Sequence, residues 1–342
     1  MRLGKLGFLA GLLAPLLSLM ALQDRPELVR TEIVTIETAL RVPFVSRLPV
    51  AGPKGSVFVQ AVWEAHGQQK FSVLEITADG EVGRTYDVSS QVSVRPWEVR
   101  FTVDSSGSVY CFETWPKEEE TGPPVYVFES GAFKEKVILS KSFRPRRMFV
   151  TPNRTWIFAG HTPSQSGSTA TEDSHGVLYE FRSNGKFLRE IEVSDSSSGD
   201  EKKPERFEIA MDLDLSHLVG DRDGSFFLVR PGSSPLVLKF DASGQLVAKR
   251  QTPPQEGTAV LNALLDDQGR LVLDRAGFRR AGGEASNAPR LLTVLDASNL
   301  DTVMEATYAE RGGYLFAVRG GEYFFLAHPD PLRLEIHRVR QF

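Results

Sequence analysis

Four short apolar runs separated by turn residues recur as a unit along this chain, and the recurrence limits the fold more than any single motif. From Trp97, WEVRFTVD reaches the turn Ser105-Ser106-Gly107, and SVYCFETW follows. A polar loop then leads to Pro123, PVYVFES reaches Gly131, and FKEKVILS closes the unit. The next unit reads RRMFVTP, Asn153-Arg154, TWIFAGH, a loop, GVLYEFRS, Asn184-Gly185 and KFLREIEVS. Alternation of apolar and polar residues between such turns is the period of a half-buried strand, and Asn-Gly between two alternating runs marks a hairpin. Three more units fit the frame, starting at FVSRLPV, DLSHLVGD and NALLDD. The turn residues between the third and fourth runs are Gly80, Gly131, Gly185, Gly244 and Asn299, spaced by 51, 54, 59 and 55 residues. Repeats near that period belong to propellers and related arrays.

The carboxyl end supplies only three runs, GYLFAVR, EYFFLAH and RLEIHRVR. The missing fourth is expected from RTEIVTIET, residues 30–38, pairing beside residues 332–341, since closure of this kind removes an exposed strand edge. The expected fold is therefore all-β: a single six-bladed β-propeller over residues 30–342, with four antiparallel strands per blade. A seventh blade is not expected, because the long connection DSSSGDEKKPERF is too polar to hold strands.

Residues 1–22, MRLGKLGFLAGLLAPLLSLMAL, place two cations before an uncharged apolar run too short for a usual bilayer span. They read as a signal peptide cut near Ala21 or as a retained amino-terminal anchor. The body is then expected outside the cytoplasm, in a bacterial periplasm or secreted. No later segment has the length of a transmembrane helix. One cysteine, Cys111, excludes an intramolecular disulfide and a cysteine-cluster metal site, and a buried small side chain is its simplest role. With 40 basic against 44 acidic residues the net charge is −4, so no nucleic-acid partner is expected. No G-x-S-x-G, G-x-x-x-x-G-K or H-E-x-x-H motif is present.

VDSSGSVYCFET, GDRDGSFFLVR, LKFDASGQLV and LDDQGRLVLDR resemble the repeats of NHL-type six-bladed propellers, in which a strand, an Asp-x-Gly turn and an aliphatic second strand precede a third strand ending in Phe-Asp. The resemblance implies architecture, with the first strands around a central channel, and names no activity. Propeller lactonases hold a channel calcium through Glu and Asn side chains, and Glu98 and Asn262 fall in comparable first-strand regions. His217 is the one histidine centred in a first-strand segment, where it is either a general base or ligand pointing inward or a packed, hydrogen-bonded side chain. Streptogramin-lyase-like propellers, with histidine chemistry and a divalent ion, offer a second comparison whose signature His217, His161 and His328 do not reproduce. These comparisons imply the catalytic alternative, a metal-assisted lactonase or lyase.

Polar residues at the blade mouths are expected to gather on one rim although they are far apart in sequence. They include Glu113, Arg146, Arg147, His161, Arg230, Asp274, Arg275 and His328. Guanidinium groups in that number suit carboxylate or phosphate, so an anionic small ligand or an acidic partner protein is expected at Arg147, Arg230 and Arg275, flanked by His161, Glu113 and Asp274. A solvated rim of local ion pairs is the competing description. Asp212, Asp214 and Asp221 offer a calcium set, though a turn role accounts for Asp221. The leading expectation is a non-catalytic binding scaffold with no resident cofactor.

Overall fold

Each unit folds as an antiparallel meander in which largely apolar second and third runs are closed by a more exposed outer run. Val109–Glu113 is buried along its whole length, whereas Leu246–Gln251 alternates between half-buried and exposed. A strand buried on both faces needs neighbours on both faces, which stacked sheets of a propeller provide. The structure, a computed structural model, describes residues 26–35, 44–45, 49–65, 67–115, 121–162, 176–193, 216–277, 290–308, 313–327 and 333–340. The amino-terminal segment 1–22, Asp212, Asp214 and His328 lie outside them.

In chain order, β1 (Glu27–Thr35) comes first, followed by β2 (Phe44–Val45), β3 (Val50–Ala51), β4 (Val57–Ala65), β5 (Gln68–Ile76) and β6 (Val82–Asp87). The next unit is β7 (Val99–Val103), β8 (Val109–Glu113), β9 (Pro124–Glu129) and β10 (Ala132–Ile138). It is followed by β11 (Arg144–Val150), β12 (Trp156–His161), β13 (Gly176–Phe181) and β14 (Phe187–Ile191). Then come β15 (His217–Gly220), β16 (Phe226–Arg230), β17 (Leu236–Phe240) and β18 (Leu246–Gln251). The last strands are β19 (Thr258–Leu265), β20 (Leu271–Gly277), β21 (Arg290–Leu295), β22 (Thr302–Tyr308), β23 (Tyr314–Arg319), β24 (Glu322–Ala327) and β25 (Arg333–Arg340).

These strands do not form six separate four-stranded blades. Among the described residues their hydrogen bonds make five sheets: β2 to β6, β7 to β10, β11 to β14, β15 to β18, and one of eight strands in the order β19-β20-β21-β22-β1-β25-β24-β23. Counted by continuous sheets the propeller has five blades, one of them double width, and the six-bladed, NHL-type expectation is corrected on that point. The physical reason is β1. It pairs antiparallel with β25 from Glu27↔Arg340 to Thr35↔Arg333, and its start also pairs parallel with β22 at Glu27↔Thr307. Hydrogen bonding thus runs on through the place where a gap between the fifth unit and the split terminal unit was expected. The pairing of the amino-terminal strand with the carboxyl-terminal strands does form.

Apolar layers fill the spaces between neighbouring sheets. Phe58, Tyr86, Val99 and Phe128 belong to one such layer, and Phe112, Phe143, Phe158 and Phe181 to the next. In the second, Phe112 and Phe158 meet edge to face at 5.5 Å between ring centroids, the arrangement their quadrupoles favour. Where β11 meets β15, the ring of Phe149 lies so near Gly220 that a Cβ there would come within 1.7 Å of it. Only glycine permits that approach. The strands β3, β7, β11, β15, β19 and β23 touch one another in turn around the axis.

Candidate functional site

The inner strands enclose a channel of about 1280 Å³. Its layering follows from four equivalent turns, in which the amides of Asp104, Thr151, Asp221 and Asp266 donate to the carbonyls of Ser108, Thr155, Ser225 and Arg270 at 2.8–3.1 Å. Four residues before these turns stand Arg100, Arg147, His217 and Asn262, all lining the channel. Equal spacing from equivalent turns puts these side chains in one polar ring near the mouth where the inner strands begin. The next three positions are Phe101, Met148, Leu218 and Ala263, then Thr102, Phe149, Val219 and Leu264, then Val103, Val150, Gly220 and Leu265. Below the ring these positions are mostly apolar by residue type, with Thr102 among them, and Phe149, Val150, Leu218, Val219, Leu264 and Leu265 also pack into the layers between sheets.

Arg146 joins the polar ring because the register of β11 against β12 slips between Pro145 and Arg147. A bulge of this kind re-aims side chains, here allowing consecutive arginines to face one cavity. The Arg147 Nη1 donates to the Arg146 carbonyl at 3.0 Å. Arg144 lies over the ring of the half-exposed Trp115 at 4.0 Å, with Arg146 over the same ring at 5.1 Å. Burial and then the neighbouring Arg146 charge press the Arg144 guanidinium below its ordinary value. Among the described residues no carboxylate lines this first mouth.

The opposite mouth is mixed, with Arg154 and Arg222 beside Asp104 and Asp221. Asp104 folds into its own turn, accepting from the amides of Ser106 and Ser108 and from the Tyr110 hydroxyl at 2.9–3.0 Å. Asp221 accepts from the Arg222 amide at 2.6 Å.

His217 is buried, and its Nε2 lies 3.4 Å from the Val260 carbonyl, which can only accept. Burial first, and the Arg147 charge second, push the imidazole down to about 3, against the smaller opposing effect of the Val260 bond. It is neutral at physiological pH and a weak base. Asn262 donates from Nδ2 to the Leu315 carbonyl at 2.7 Å and accepts from the Ala263 amide at 2.9 Å, so its amide ties β19 to β23. The Glu98 carboxylate accepts from the Arg95 amide at 3.0 Å, capping the short turn Pro96–Glu98, and Glu98 is not among the channel-lining residues. The structure thus does not bring Glu98 and Asn262 together as a calcium pair. Among the described residues no three His, Cys, Asp or Glu groups converge to hold a metal ion.

The remaining rim residues divide in a way that local sequence did not show. Arg147 lines the channel; Arg230, at the half-buried end of β16, and Arg275 do not. Arg275, on β20, is buried and donates to the carbonyls of Pro253 at 3.2 Å and Ser233 at 2.6 Å, fastening the β18–β19 and β16–β17 loops. Asp274 is fully buried and accepts from Arg290 at 2.7 and 3.2 Å and from the Tyr308 hydroxyl at 2.9 Å. Burial drives its carboxyl up while Arg290 and Tyr308 hold it back, an arrangement that orders the double-width sheet from within. Glu113, also buried, accepts from the Tyr126 hydroxyl at 2.7 Å. His161 is half-buried opposite Arg144 in the β11–β12 register. Cys111 is buried and its thiol is pushed up by burial, away from nucleophilic use.

Arg100, Arg154 and Arg222 were not singled out by sequence reasoning. A signal for Arg100 was present, since alignment of the units on their first turns sets it level with Arg147, His217 and Asn262.

No family model and no curated protein matches the chain. Among solved structures, it is similar to a protein of unknown function from Bacteroides caccae at 11% identity and a TM-score of 0.41, over 79% of this chain and 82% of that one. It is also similar to the WD40 β-propeller domain of Doa1, at 11% identity and a TM-score of 0.47, over 91% of this chain and 98% of that one.

Proposed function

We propose that this chain is a non-catalytic binding propeller whose channel mouth receives an anionic small ligand or an acidic segment of a partner protein. The observation that carries the reading is the charge lining the channel: Arg100, Arg146, Arg147, Arg154 and Arg222 against Asp104 and Asp221, in a chain whose net charge is −4. Low-dielectric walls focus such a field, and guanidinium forks hold planar anions by paired donors. No arrangement among the described residues favours the lactonase or lyase alternative, because His217 is a weak base and the Asn262 amide is engaged with main chain.

The test is calorimetric titration of tripolyphosphate into the folded protein. Each charge-assisted contact is worth about 1.5–3 kcal/mol, so Arg100→Ala combined with Arg147→Ala should lower affinity by at least tenfold. Added salt should weaken binding by the wild type and flatten the difference between the two proteins. Equal affinity of a folded double variant, or no binding by the wild type, overturns the proposal.

A further inference from the structure

The arginines do not stand alone at the mouth where the inner strands begin. Among the described residues four aromatic side chains are exposed, Trp97, Trp115, Phe133 and Tyr314, and all but Phe133 gather at this mouth. Trp97 lies just before β7 and Trp115 just after β8, and the Thr114 amide donates to the Glu98 carbonyl at 2.7 Å, so the two tryptophans flank one backbone bond. Trp97 is 49% exposed and Trp115 47%. Tyr314 opens β23 and lines the channel. At the opposite mouth, around Asp104, Thr151, Asp221 and Asp266, no described aromatic side chain is exposed. Arginines accompany the indoles. Arg144 and Arg146 both lie over the Trp115 ring, and Arg95 lies over Trp97 at 5.4 Å. Arg146 also lines the channel, which makes the Trp115 platform and the channel mouth one surface. Stacking on a ring engages the face of a guanidinium and not its N–H fork, so an arginine held this way still suits a carboxylate.

We infer that this mouth docks a short acidic segment of a partner protein, with its carboxylates on the arginines and an apolar side chain against Trp97 and Trp115. The inference rests on the anion-binding reading and adds the kind of partner. Tryptophan, tyrosine and arginine are the residues enriched where protein partners bind most tightly, and lysine is depleted there. No lysine lines the channel among the described residues. A free inorganic anion needs the guanidinium forks and no aromatic surface. A long polyanion fits less well than a short segment. In a chain with 44 acidic against 40 basic residues, a nucleic acid or polyuronate running beyond the mouth meets net negative charge.

The experiment titrates the full chain with two short blocked peptides of equal charge, one of glutamates with leucine at every third position and one with serine in place of leucine. Tripolyphosphate, oligothymidylate and polygalacturonate are titrated alongside. Covering the indoles with one leucine should make the leucine peptide bind at least tenfold more tightly than the serine peptide. That ratio should fall to near unity in the protein carrying Trp97→Ala and Trp115→Ala; because the two peptides carry the same charge, a disturbance of Arg146 by the loss of Trp115 cancels from it. If the double variant does not fold, Trp97→Ala alone, which keeps the stack on Trp115, should lower the same ratio at least twofold. Equal affinity of the two peptides for the unaltered chain overturns the inference, as does a ratio that survives the tryptophan changes. Tripolyphosphate binding without binding of either peptide overturns it and leaves the anion site standing. Oligothymidylate or polygalacturonate binding more tightly than the leucine peptide overturns it in favour of a nucleic acid or an acidic glycan. Failure of tripolyphosphate and both peptides removes both readings together.

Discussion

His217 shows how one buried side chain couples this channel to pH. Its imidazole titrates at about 3 in the folded chain against 6.5 unperturbed, because burial and the Arg147 charge disfavour the cation. Between those values the unfolded chain binds the extra proton, so stability rises with pH there. The contribution is complete above 6.5 and is lost as pH falls toward 3, amounting to about 2–3 kcal/mol by pH 4.5. Chemical denaturation at pH 7 and pH 4.5 should therefore show a larger loss of stability for the wild type than for His217→Gln, and parallel losses would refute this account. At the same scale, the candidate site was only partly legible. Residue type pointed to arginine at the mouth, and Arg147 lines the channel. Arg275 and Asp274 have the same types and similar strand positions, yet their side chains are buried on main-chain carbonyls and on Arg290 with Tyr308. Which way a side chain points at the end of a strand depends on bulges such as the one before Arg147, and a bulge leaves no mark in the alternation of a short run.

At the scale of elements, turns both make the blades and join them. Gly185 closes the β13–β14 hairpin at a φ of +82°, and a Cβ there would lie 2.4 Å from the Ile138 carbonyl of the neighbouring blade. Its own carbonyl accepts from the Ser140 amide at 2.9 Å, so the turn is also a contact between sheets. Gly185→Ala should cost more than about 1 kcal/mol, through strain at positive φ and the clash with Ile138 together. Gly269→Ala makes the comparison informative: that turn has a φ of +76° with open space around it, so it should carry the strain alone. Equal unfolding midpoints for the two variants would mean that the Gly185 contact adds nothing. Asn184-Gly185 was readable in the sequence, as were the meanders themselves, because period-two runs between turn residues are local features. The continuity of β22, β1 and β25 was not readable. It rests on one parallel register pair at Glu27↔Thr307 and on the Thr307 amide donating to the Pro26 carbonyl at 3.0 Å, joining residues from the two ends of the chain. That contact alone turns two sequence units into one sheet, and nothing in either unit's pattern requires it.

For the whole molecule, β1 is the strand on which the circle depends. It lies in the middle of the eight-stranded sheet, while β19 and β23 at the two edges of that sheet both line the channel. Its eight register pairs with β25 are reinforced by Leu28, buried beside Leu292, Leu315 and Phe325, and by Arg30 with the buried Glu335 at 3.3 Å. Truncation of Leu28 to alanine should cost about 2–5 kcal/mol, the range for a large core side chain. Deletion of residues 26–35 should do more, because it removes that contact and leaves the facing edges of β22 and β25 with unpaired backbone groups. Two exposed edges in one sheet invite pairing with another copy, so the shortened chain should unfold at a lower temperature and scatter light at concentrations where the longer one stays monodisperse. The point variant separates the two effects, since Leu28→Ala loses packing but keeps every backbone pair of β1. It should therefore lower the unfolding temperature without promoting association. If the deletion variant instead melts and scatters like the chain carrying β1, the strand is an ornament on a ring that closes without it. The channel would then owe its shape to contacts such as the Asn262–Leu315 bond between β19 and β23.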